Sequence, residues 1–333
     1  MAGGQERILR RRIKSVESTK KITKAMELIA ASRIVKAQAR VAAARPYSEQ
    51  ITDVILHLSG AGATLNHPLL TERETVSTVG FVVLTADRGL AGGYNSGVIR
   101  AAERALQAEV AAGRDYSLIL VGKKAHNYFR FLGYRIDASF SGFSDSPTYE
   151  DARRIAAEVR TRFDDGAIDQ LELVYTQFLS VATQRVTTRR FLPLEASAIA
   201  SAQASARGTG PEDDYEFEPG PTAILDAIVP RYVEARLFAA LLDAAASEHA
   251  ARQRAMKSAT DNADELMKVL SRQMNRARQD AITTEIIEIA SGAEALAEAA
   301  SGAVDLLRDR IEDPDLFGHH TRHLDRREHH EEH

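Results

Sequence analysis

The stretch SEHAARQRAMKSATDNADELMKVLSRQMNRARQDAITTEIIEIAS, residues 247–291, decides how this chain folds. It lies within a longer run, Arg231–Ser291, that contains neither glycine nor proline. Both residues are poorly tolerated inside helices, so the run predicts one helix about 90 Å long at ~1.5 Å per residue. Seven-residue rows of apolar residues in this run are typical of a coiled-coil seam. The two rows are Ala263, Leu270, Ala277 and Met267, Met274, Ala281.

A second run without glycine occupies the start of the chain. Residues 6–58 contain one proline, Pro46, which predicts a helix of about 80 Å with a kink or a boundary there. Two seven-residue rows suggest its seam, since small residues let two backbones approach closely. They are Ile8, Ser15, Ile22, Ile29, Lys36 and Ser18, Ala25, Ser32, Ala39. Lys and Arg outnumber Asp and Glu in residues 1–60, which indicates either a solvated helix face or a positive surface that meets acidic groups.

The middle of the chain alternates between strand and helix patterns. Helices are predicted near 94–112, 123–132 and 148–162, and the alternation favours a largely parallel sheet. The predicted strands are TVGFVVLTA (78–86), YSLILVG (116–122), RIDASF (135–140), LELVYTQF (171–178) and QRVTTRRFLPL (184–194). We therefore predict an α/β fold with long helices, in which the N- and C-terminal helices form an antiparallel coiled coil beside a central Rossmann-like domain.

The predicted domain boundaries follow from these patterns and from composition. The segments are an N-terminal coiled-coil helix (1–60), the central α/β domain (61–200), an acidic linker (201–221), a C-terminal coiled-coil helix (222–298) and a His-rich disordered tail (299–333).

Composition excludes several classes of chemistry. The chain has 333 residues, a formal net charge of −4 and no cysteine, so disulfides, thiolate nucleophiles and Cys-ligated zinc are excluded. The N-terminal sequence MAGGQERILRRR lacks the apolar core of a signal peptide. The longest apolar runs, such as FVVL and LILV, are far shorter than a membrane span. We expect a soluble protein that reaches a membrane only through partners.

No catalytic centre is visible in the sequence. The glycines of DRGLAGGYNSG (87–97) do not match the dinucleotide-binding spacing G-x-G-x-x-G, so this segment is interpreted as a tight strand-to-helix turn. The motif HHEEH (329–333) lacks the glutamate position of a zinc protease, and no metal site is predicted. His126 and His249 are isolated, and the adjacent Asp264 and Glu265 do not face each other on a helix.

Several long motifs, in order along the chain, resemble the gamma subunits of F-type ATP synthases. The resemblance covers about Met1 to Leu296, with Ala91, Gln253 and Thr284 departing from the usual pattern. The motifs are KKITKAMELIAASRIVKAQ (20–38), ARPY (44–47), GLAGGYN (89–95), DYEFEP (214–219), SEHAARQRAMKSATDNA (247–263) and NRARQDAITTEIIEIASGAEAL (275–296).

The resemblance implies a function. The coiled coil would be a shaft that rotates inside a ring of three alpha and three beta subunits, and the α/β domain would be a foot on the membrane c-ring that also holds the epsilon subunit. The chain itself would bind no cofactor, because ATP, ADP and Mg²⁺ would lie in the alpha and beta subunits. The implied location is the cytoplasmic side of a bacterial cell membrane, with no contact to nucleic acid and with membrane contact only through partners.

The resemblance also implies partner-binding residues. Arg278 and Gln279 match positions that hydrogen-bond an acidic catch loop of a beta subunit, while Arg252 and Met26 match further beta contacts. The apolar segment 282–289 would pack against the first helix and the bearing of the ring. By looser analogy, the acidic stretch Glu212, Asp213, Asp214, Tyr215 and Glu216 would contact the c-ring or epsilon; a solvated linker is the open alternative.

Two other functions stay open at this point. One is a nucleotide-binding α/β protein with helical arms, which would bind ATP or NAD as an isolated chain. The other is a coiled-coil scaffold on nucleic acid, which would use the basic first helix and show steeply salt-dependent binding.

Overall fold

The computed structural model describes residues 2–60, 67–194, 218 and 220–311. Within them the chain forms two compact units, one of residues 19–263 and one that combines residues 1–18 with the chain from Asp264. The elements are α1 (Ala2–Gly60), β1 (Thr78–Leu84), α2 (Tyr94–Ala111), β2 (Asp115–Val121), α3 (Lys123–Phe131), β3 (Ala138–Phe140), α4 (Tyr149–Asp164), β4 (Gln170–Phe178), β5 (Gln184–Leu192) and α5 (Pro221–Ile311).

The α/β domain is built on one five-stranded sheet with the order β3-β2-β1-β4-β5. β1 pairs in parallel with both β2 and β4, and β2 pairs in parallel with β3. β5 returns antiparallel to β4 at the sheet edge. The predicted strands and the largely parallel sheet are thus confirmed, although the third strand is shorter than predicted.

The central strands are apolar on both faces because helices cover both sides of the sheet. On one face α2 and α3 pack on alternate residues of β1 and β2, through Val98, Leu106 and Phe129. On the other face the core combines α4 with the end of α1 and the beginning of α5. The long helices contribute Ile51, Ile55, Leu58, Leu225, Val229, Tyr232, Val233, Leu237, Ala240, Leu241 and Ala244 to that core. The base of both long helices is therefore part of the α/β domain.

The two long helices are antiparallel within residues 19–263. The end of α1 shares a core with the beginning of α5, whereas Thr23, near the start of α1, faces Thr260, much later in α5. The hydroxyl groups of these two threonines are hydrogen-bonded at 2.8 Å, and both side chains are buried. Thr260 also donates to the carbonyl of Met256 at 2.9 Å, so the polar atoms of this apolar seam have partners.

The heptad spacing is confirmed on both helices, but the predicted phase is right on only one of them. On α5 the two predicted rows, which begin at Ala263 and Met267, are buried or half-buried along their length. On α1 every member of the two predicted rows is exposed, so that prediction is wrong. The seam of α1 instead follows Leu9, Val16, Thr23, Ala30, Ala37 and Ile13, Lys20, Glu27, Ile34, Val41. Large isoleucines at 8, 22 and 29 suggest the wrong face, because the real seam also includes small and polar residues.

α1 stays within its predicted range of 1–60, whereas α5 extends past the predicted 222–298. α1 continues through Pro46 without ending, since that proline removes only one backbone donor and the following turns are held in the core. α5 continues to Ile311, beyond the predicted end at 298, because residues 299–311 are rich in helix formers and the next proline is Pro314. The rest of the predicted tail, 312–333, lies outside the described residues, as does most of the predicted linker.

Candidate functional site

The polar band that the sequence singled out lies on the exposed surface of α5. Arg278 and Gln279 are both exposed, and the part of the chain that the structure describes offers neither side chain a hydrogen-bond or ion-pair partner. Their neighbour Arg276 is also exposed, whereas Met274 and Ala277 face the seam and are half-buried. A free guanidinium beside a free amide is a surface suited to a carboxylate-bearing partner, because the planar fork of arginine pairs with both carboxylate oxygens.

An apolar surface follows this band directly. Ile282, Ile286, Ile287 and Ile289 are between 50% and 67% exposed, and every residue from 282 to 300 is exposed. The prediction that this segment packs against the first helix is therefore wrong for these isoleucines. Ala281 is the last half-buried seam position of α5, and the isoleucines lie beyond it. Exposed isoleucines at this density are typical of a surface that a partner covers.

Met26 occupies an intermediate position on α1. Its side chain is half-buried, and it lies on the helix between the buried seam residues Thr23 and Ala30. Ile22 and Ile29 beside it are more than half exposed. The surface around Met26 is thus apolar and partly open.

Arg252, in contrast, has partners inside its own chain. It is 9% exposed, and its guanidinium donates to Glu248 Oε1 at 2.6 Å and to the carbonyl oxygen of Gly89 at 3.3 Å. Glu248 is 1% exposed, and burial raises the pKa of its carboxyl group while the charge of Arg252 opposes this rise. Arg252 therefore ties α5 to the glycine-rich turn, an internal contact that the family resemblance did not indicate.

Four further hydrogen bonds hold the same part of α5 in the α/β domain. We call this part, residues 244–254 of α5, the gripped segment. The Tyr94 hydroxyl donates to the carbonyl of Ala244 at 3.2 Å, and burial raises the pKa of that hydroxyl well above its usual value. Ser247 Oγ donates to the carbonyl of Thr176 at 3.1 Å. The other two join His249 to the Asp145 carbonyl at 3.0 Å and Arg254 to the Val181 carbonyl at 2.8 Å. The sheet ends and loops of the domain thus surround one stretch of helix.

α5 runs beside the glycine-rich turn, which follows the carboxyl end of β1, where a dinucleotide binds in related folds. A Cβ atom added to Gly92 would lie 3.6 Å from the Cβ of Ala255 on α5. Ala91 and Tyr94 are buried, and Ala251 packs against them. The glycine-rich turn is therefore used for close approach of a helix, and a cavity of about 420 Å³ remains between them. The nucleotide-binding alternative is disfavoured by the glycine spacing, which does not match G-x-G-x-x-G.

The remaining predicted site residues cannot be placed. Glu212, Asp213, Asp214, Tyr215 and Glu216 lie outside the described residues, as does the HHEEH motif. The described ranges contain no cluster of three or more His, Asp or Glu side chains arranged to hold a metal ion. No helix in those ranges is long and apolar enough to span a membrane.

The comparisons with known proteins agree with the motifs. The family model described as ATP synthase matches residues 5–296. A curated ATP synthase gamma chain from Parafrankia sp. is 51% identical over 301 residues, which cover 89% of this chain and 99% of the relative. The chain belongs to the ATP synthase gamma chain family. A second member, from Mycolicibacterium smegmatis, is 48% identical over 305 residues, covering 87% of this chain and 97% of the relative.

Solved structures agree on the fold. A chain of the Euglena gracilis mitochondrial ATP synthase, in a structure of its OSCP, F1 and c-ring parts, is similar with a TM-score of 0.59. It is 19% identical, and the match covers 90% of this chain and 96% of that one. A chain of the central stalk and c-ring structure from Tetrahymena thermophila has a TM-score of 0.53 and 23% identity, covering 72% of this chain and 99% of that one. These distant structures support the combination of long helices with an α/β domain.

Sequence reasoning missed the contacts that fasten α1 and α5 to the domain. Asp145 is in an ordinary loop without a motif, and its partners Arg33 and His249 are more than a hundred residues away in the chain. His249 looks isolated in the sequence, yet it is 2% exposed. The position of His249 and Arg252 within one family motif was the only available signal, and it did not separate internal contacts from partner contacts.

Proposed function

We propose that this chain is the central rotor shaft of an F-type ATP synthase. In this proposal the long helices turn inside a ring of three alpha and three beta subunits, and the α/β domain rests on the c-ring and binds epsilon. Rotation then couples proton flow through the c-ring to ATP synthesis in the ring. The observation that carries the proposal is the surface of α5 from Arg276 to Ala300, polar and then apolar, which is exposed throughout except at the half-buried seam positions Ala277 and Ala281.

The proposed mechanism depends on asymmetry. A helix pair that presents Arg278 and Gln279 on one side offers a different surface to each of three identical subunits around it. Each subunit is then biased towards a different conformation, since a ligand shifts an equilibrium by its differential affinity for the two states. Turning the shaft exchanges these biases among the three subunits.

The contact energies suit this cycle. Hydrogen bonds from a charged donor contribute roughly 1.5–3 kcal/mol each, which favours one conformation while still allowing the contact to break. The isoleucines 282, 286, 287 and 289 would contact an apolar bearing, where non-directional packing allows rotation. Met26 would contribute to a beta contact on α1, and Arg252 would act there only through the helix that it fastens.

In this proposal the chain is not a catalyst. ATP, ADP and Mg²⁺ would bind to the alpha and beta subunits, and in this chain the glycine-rich turn packs against the gripped segment through Ala251. Attachment to the cytoplasmic side of a bacterial membrane would run through the c-ring. The basic surface of α1 would face acidic groups of the partner subunits. In this proposal those groups, and not the phosphates of a nucleic acid, supply the negative charge that complements it.

The test is co-expression of the chain with alpha and beta subunits, followed by purification and ATPase assay. We expect one copy of this chain per six large subunits. The double substitution Arg278→Ala with Gln279→Ala should lower the ATP turnover of this complex on the order of 100-fold, because two lost bonds of roughly 1.5 kcal/mol each remove about 3 kcal/mol.

The chain supplies a matched control. Arg272 and Gln273 form another exposed Arg–Gln pair on α5, about 9 Å earlier along the helix and rotated by about 120°. Arg272→Ala with Gln273→Ala should leave the ATP turnover of the complex unchanged. Two copies per complex, recovery with DNA alone, or equal effects of both double substitutions would contradict the proposal.

A further inference from the structure

The loop between β3 and α4 connects the α/β domain to both long helices. We call residues 141–147 the bridging loop. The Asp145 carboxylate accepts a hydrogen bond from the Arg33 guanidinium of α1 at 2.5 Å, and the Asp145 carbonyl accepts one from His249 of α5 at 3.0 Å. Arg40, two turns further along α1, donates to Ser146 Oγ at 3.1 Å and to the carbonyl of Pro147. One short loop therefore contacts α1 twice and α5 once.

The bridging loop is itself fixed at both ends. Near its beginning, the Asp87 carboxylate, just after β1, accepts hydrogen bonds from the backbone N–H groups of Gly142 at 2.8 Å and Ser144 at 3.1 Å. The backbone N–H of Asp87 donates in return to Ser144 Oγ at 2.8 Å. At its other end, Thr148 and Asp151 form the capping box of α4. A force on the sheet is therefore transmitted directly to the bridging loop through these hydrogen bonds.

The chemistry at Asp145 is specific. Because a carbonyl oxygen only accepts, His249 must donate from Nε2, which leaves Nδ1 as the other ring nitrogen. That Nδ1 is buried without a hydrogen-bond partner, and burial lowers the pKa of His249. Burial alone would raise the pKa of Asp145, but the hydrogen bond and charge of Arg33 lower it. The lowered pKa of Asp145 favours the charged carboxylate that the contact with Arg33 uses, and the lowered pKa of His249 favours its neutral ring.

The hydrogen bonds of the bridging loop lie far along α1 from the apolar core. The apolar core holds α1 through Ile51, Ile55 and Leu58, whereas Arg33 lies about 27 Å earlier along that helix at ~1.5 Å per residue. Apolar contacts are non-directional, but hydrogen bonds lose energy steeply as their angles change. The core therefore holds the base of the helix pair, while the bridging loop resists twisting of the domain about the helices.

We propose that Asp145 is a positioning residue that locks α1 and α5 to the α/β domain, so that torque on the domain turns both helices together. This inference rests on the proposed rotor function and assigns to Asp145 a share of the torsional coupling, in addition to the contacts of the gripped segment and the core. Under this proposal the bridging loop transmits torque between the domain and the helices, whereas an ordinary surface turn would not.

The experiment measures torsional stiffness in the assembled complex. The chain has no cysteine, so Ala112→Cys, at an exposed position after α2, gives a single attachment point for a bead on the domain. The alpha–beta ring is fixed to a surface, and the thermal fluctuation of the bead angle is recorded. We expect Asp145→Ala to increase the variance of the angle, and amide hydrogen exchange across the bridging loop to become roughly 3- to 10-fold faster.

Two variants separate positioning from general damage. Asp115→Ala removes another exposed Asp–Arg pair of the same domain, with Arg135 at 3.0 Å, and should leave the variance unchanged. Reversing the charges, Arg33→Asp with Asp145→Arg, should restore much of the lost stiffness. If Asp145→Ala reduces the yield of complex, Asp145→Asn keeps the backbone and side-chain volume and should still increase the variance.

The outcomes are distinct for the two proposals. If the complex assembles normally but neither Asp145→Ala nor Asp145→Asn changes the variance, the positioning role is overturned and the rotor function stands. An unchanged variance in Asp145→Ala alone, with a changed one in Asp115→Ala, also overturns it. If the unsubstituted chain fails to assemble with alpha and beta subunits, the rotor function fails, and the positioning role fails with it.

Discussion

Removing the guanidinium of Arg252 tests whether this residue serves the chain itself or a partner. Arg252→Ala leaves Glu248, which is 1% exposed, without its cation, and leaves the Gly89 carbonyl without that donor. Breaking a buried pair from one side typically costs about 3–5 kcal/mol, because the remaining charge is desolvated and uncompensated. We expect the free energy of unfolding of the isolated chain to fall by about 3 kcal/mol, since protonation of Glu248 limits the loss.

The pH dependence of this loss has a definite sign. Without Arg252, burial raises the pKa of Glu248 further above its unfolded value, so the folded variant holds a proton that the unfolded chain has released. The stability of such a group is present at low pH and is lost as pH rises through the folded pKa. The destabilisation by Arg252→Ala should therefore be smaller at acidic than at neutral pH.

The assay is urea unfolding of the purified chain at several pH values, followed by near-UV circular dichroism of the tyrosines. Arg278→Ala is the matched control, because that exposed arginine has no partner in the described residues and its loss should change stability by less than about 0.5 kcal/mol. Replacing both members of the pair, Glu248→Leu with Arg252→Met, should recover most of the stability. A loss below about 1 kcal/mol in Arg252→Ala, independent of pH, would refute the internal role and return Arg252 to the set of partner contacts.

Two further outcomes are expected. Gly122 has φ of 94°, and an added Cβ would overlap the Thr85 carbonyl oxygen, so Gly122→Ala should prevent stable folding. Gly113 has φ of 78° but open space around it, so Gly113→Ala should lower the free energy of unfolding by only about 1–2 kcal/mol, as measured by thermal unfolding. An equal loss in the two glycine variants would contradict the close approach. Burial raises the pKa of Asp243 to about 6, with Arg189 and Arg45 opposing. A raised carboxyl pKa stabilises the folded state at low pH, and this stabilisation is lost as pH rises towards 6. Asp243→Asn should therefore remove about 2–3 kcal/mol of the pH dependence of stability between about pH 4 and 7. An unchanged profile of stability against pH would exclude this role for Asp243.

The sequence was sufficient for the fold because its main signals are local. Strand and helix patterns located the sheet, and the absence of glycine and proline from Arg231 to Ser291 located the long helix. The phase of the seam was accessible on α5, where Met267, Leu270 and Met274 mark it, but not on α1. There the packed positions include Thr23 and Ala30, while Ile22 and Ile29 face outwards, so hydrophobicity indicates the wrong face.

The site was only partly accessible for a different reason. Whether an arginine on a helix meets solvent, a partner or its own chain depends on contacts between residues far apart in sequence. Arg278 and Arg252 both belong to family motifs, yet one is exposed and the other is buried against Glu248. Only the packing of α5 into the domain separates them, and that packing is a tertiary property.

The hydroxyl pair of Thr23 and Thr260 has a consequence for how the chain folds. These threonines are separated by 237 positions in sequence, so their contact closes a long stretch of chain. A seam that repeats every seven residues allows the helices to stop one repeat too early or too late, and such arrangements would retain most of their apolar contacts. In the shifted arrangements Thr23 would face Met267, which offers its hydroxyl no good partner, or Gln253, whose longer amide side chain would have to enter the seam in place of Thr260. The buried hydrogen bond between the two threonines therefore favours the observed register of the seam over registers shifted by seven residues.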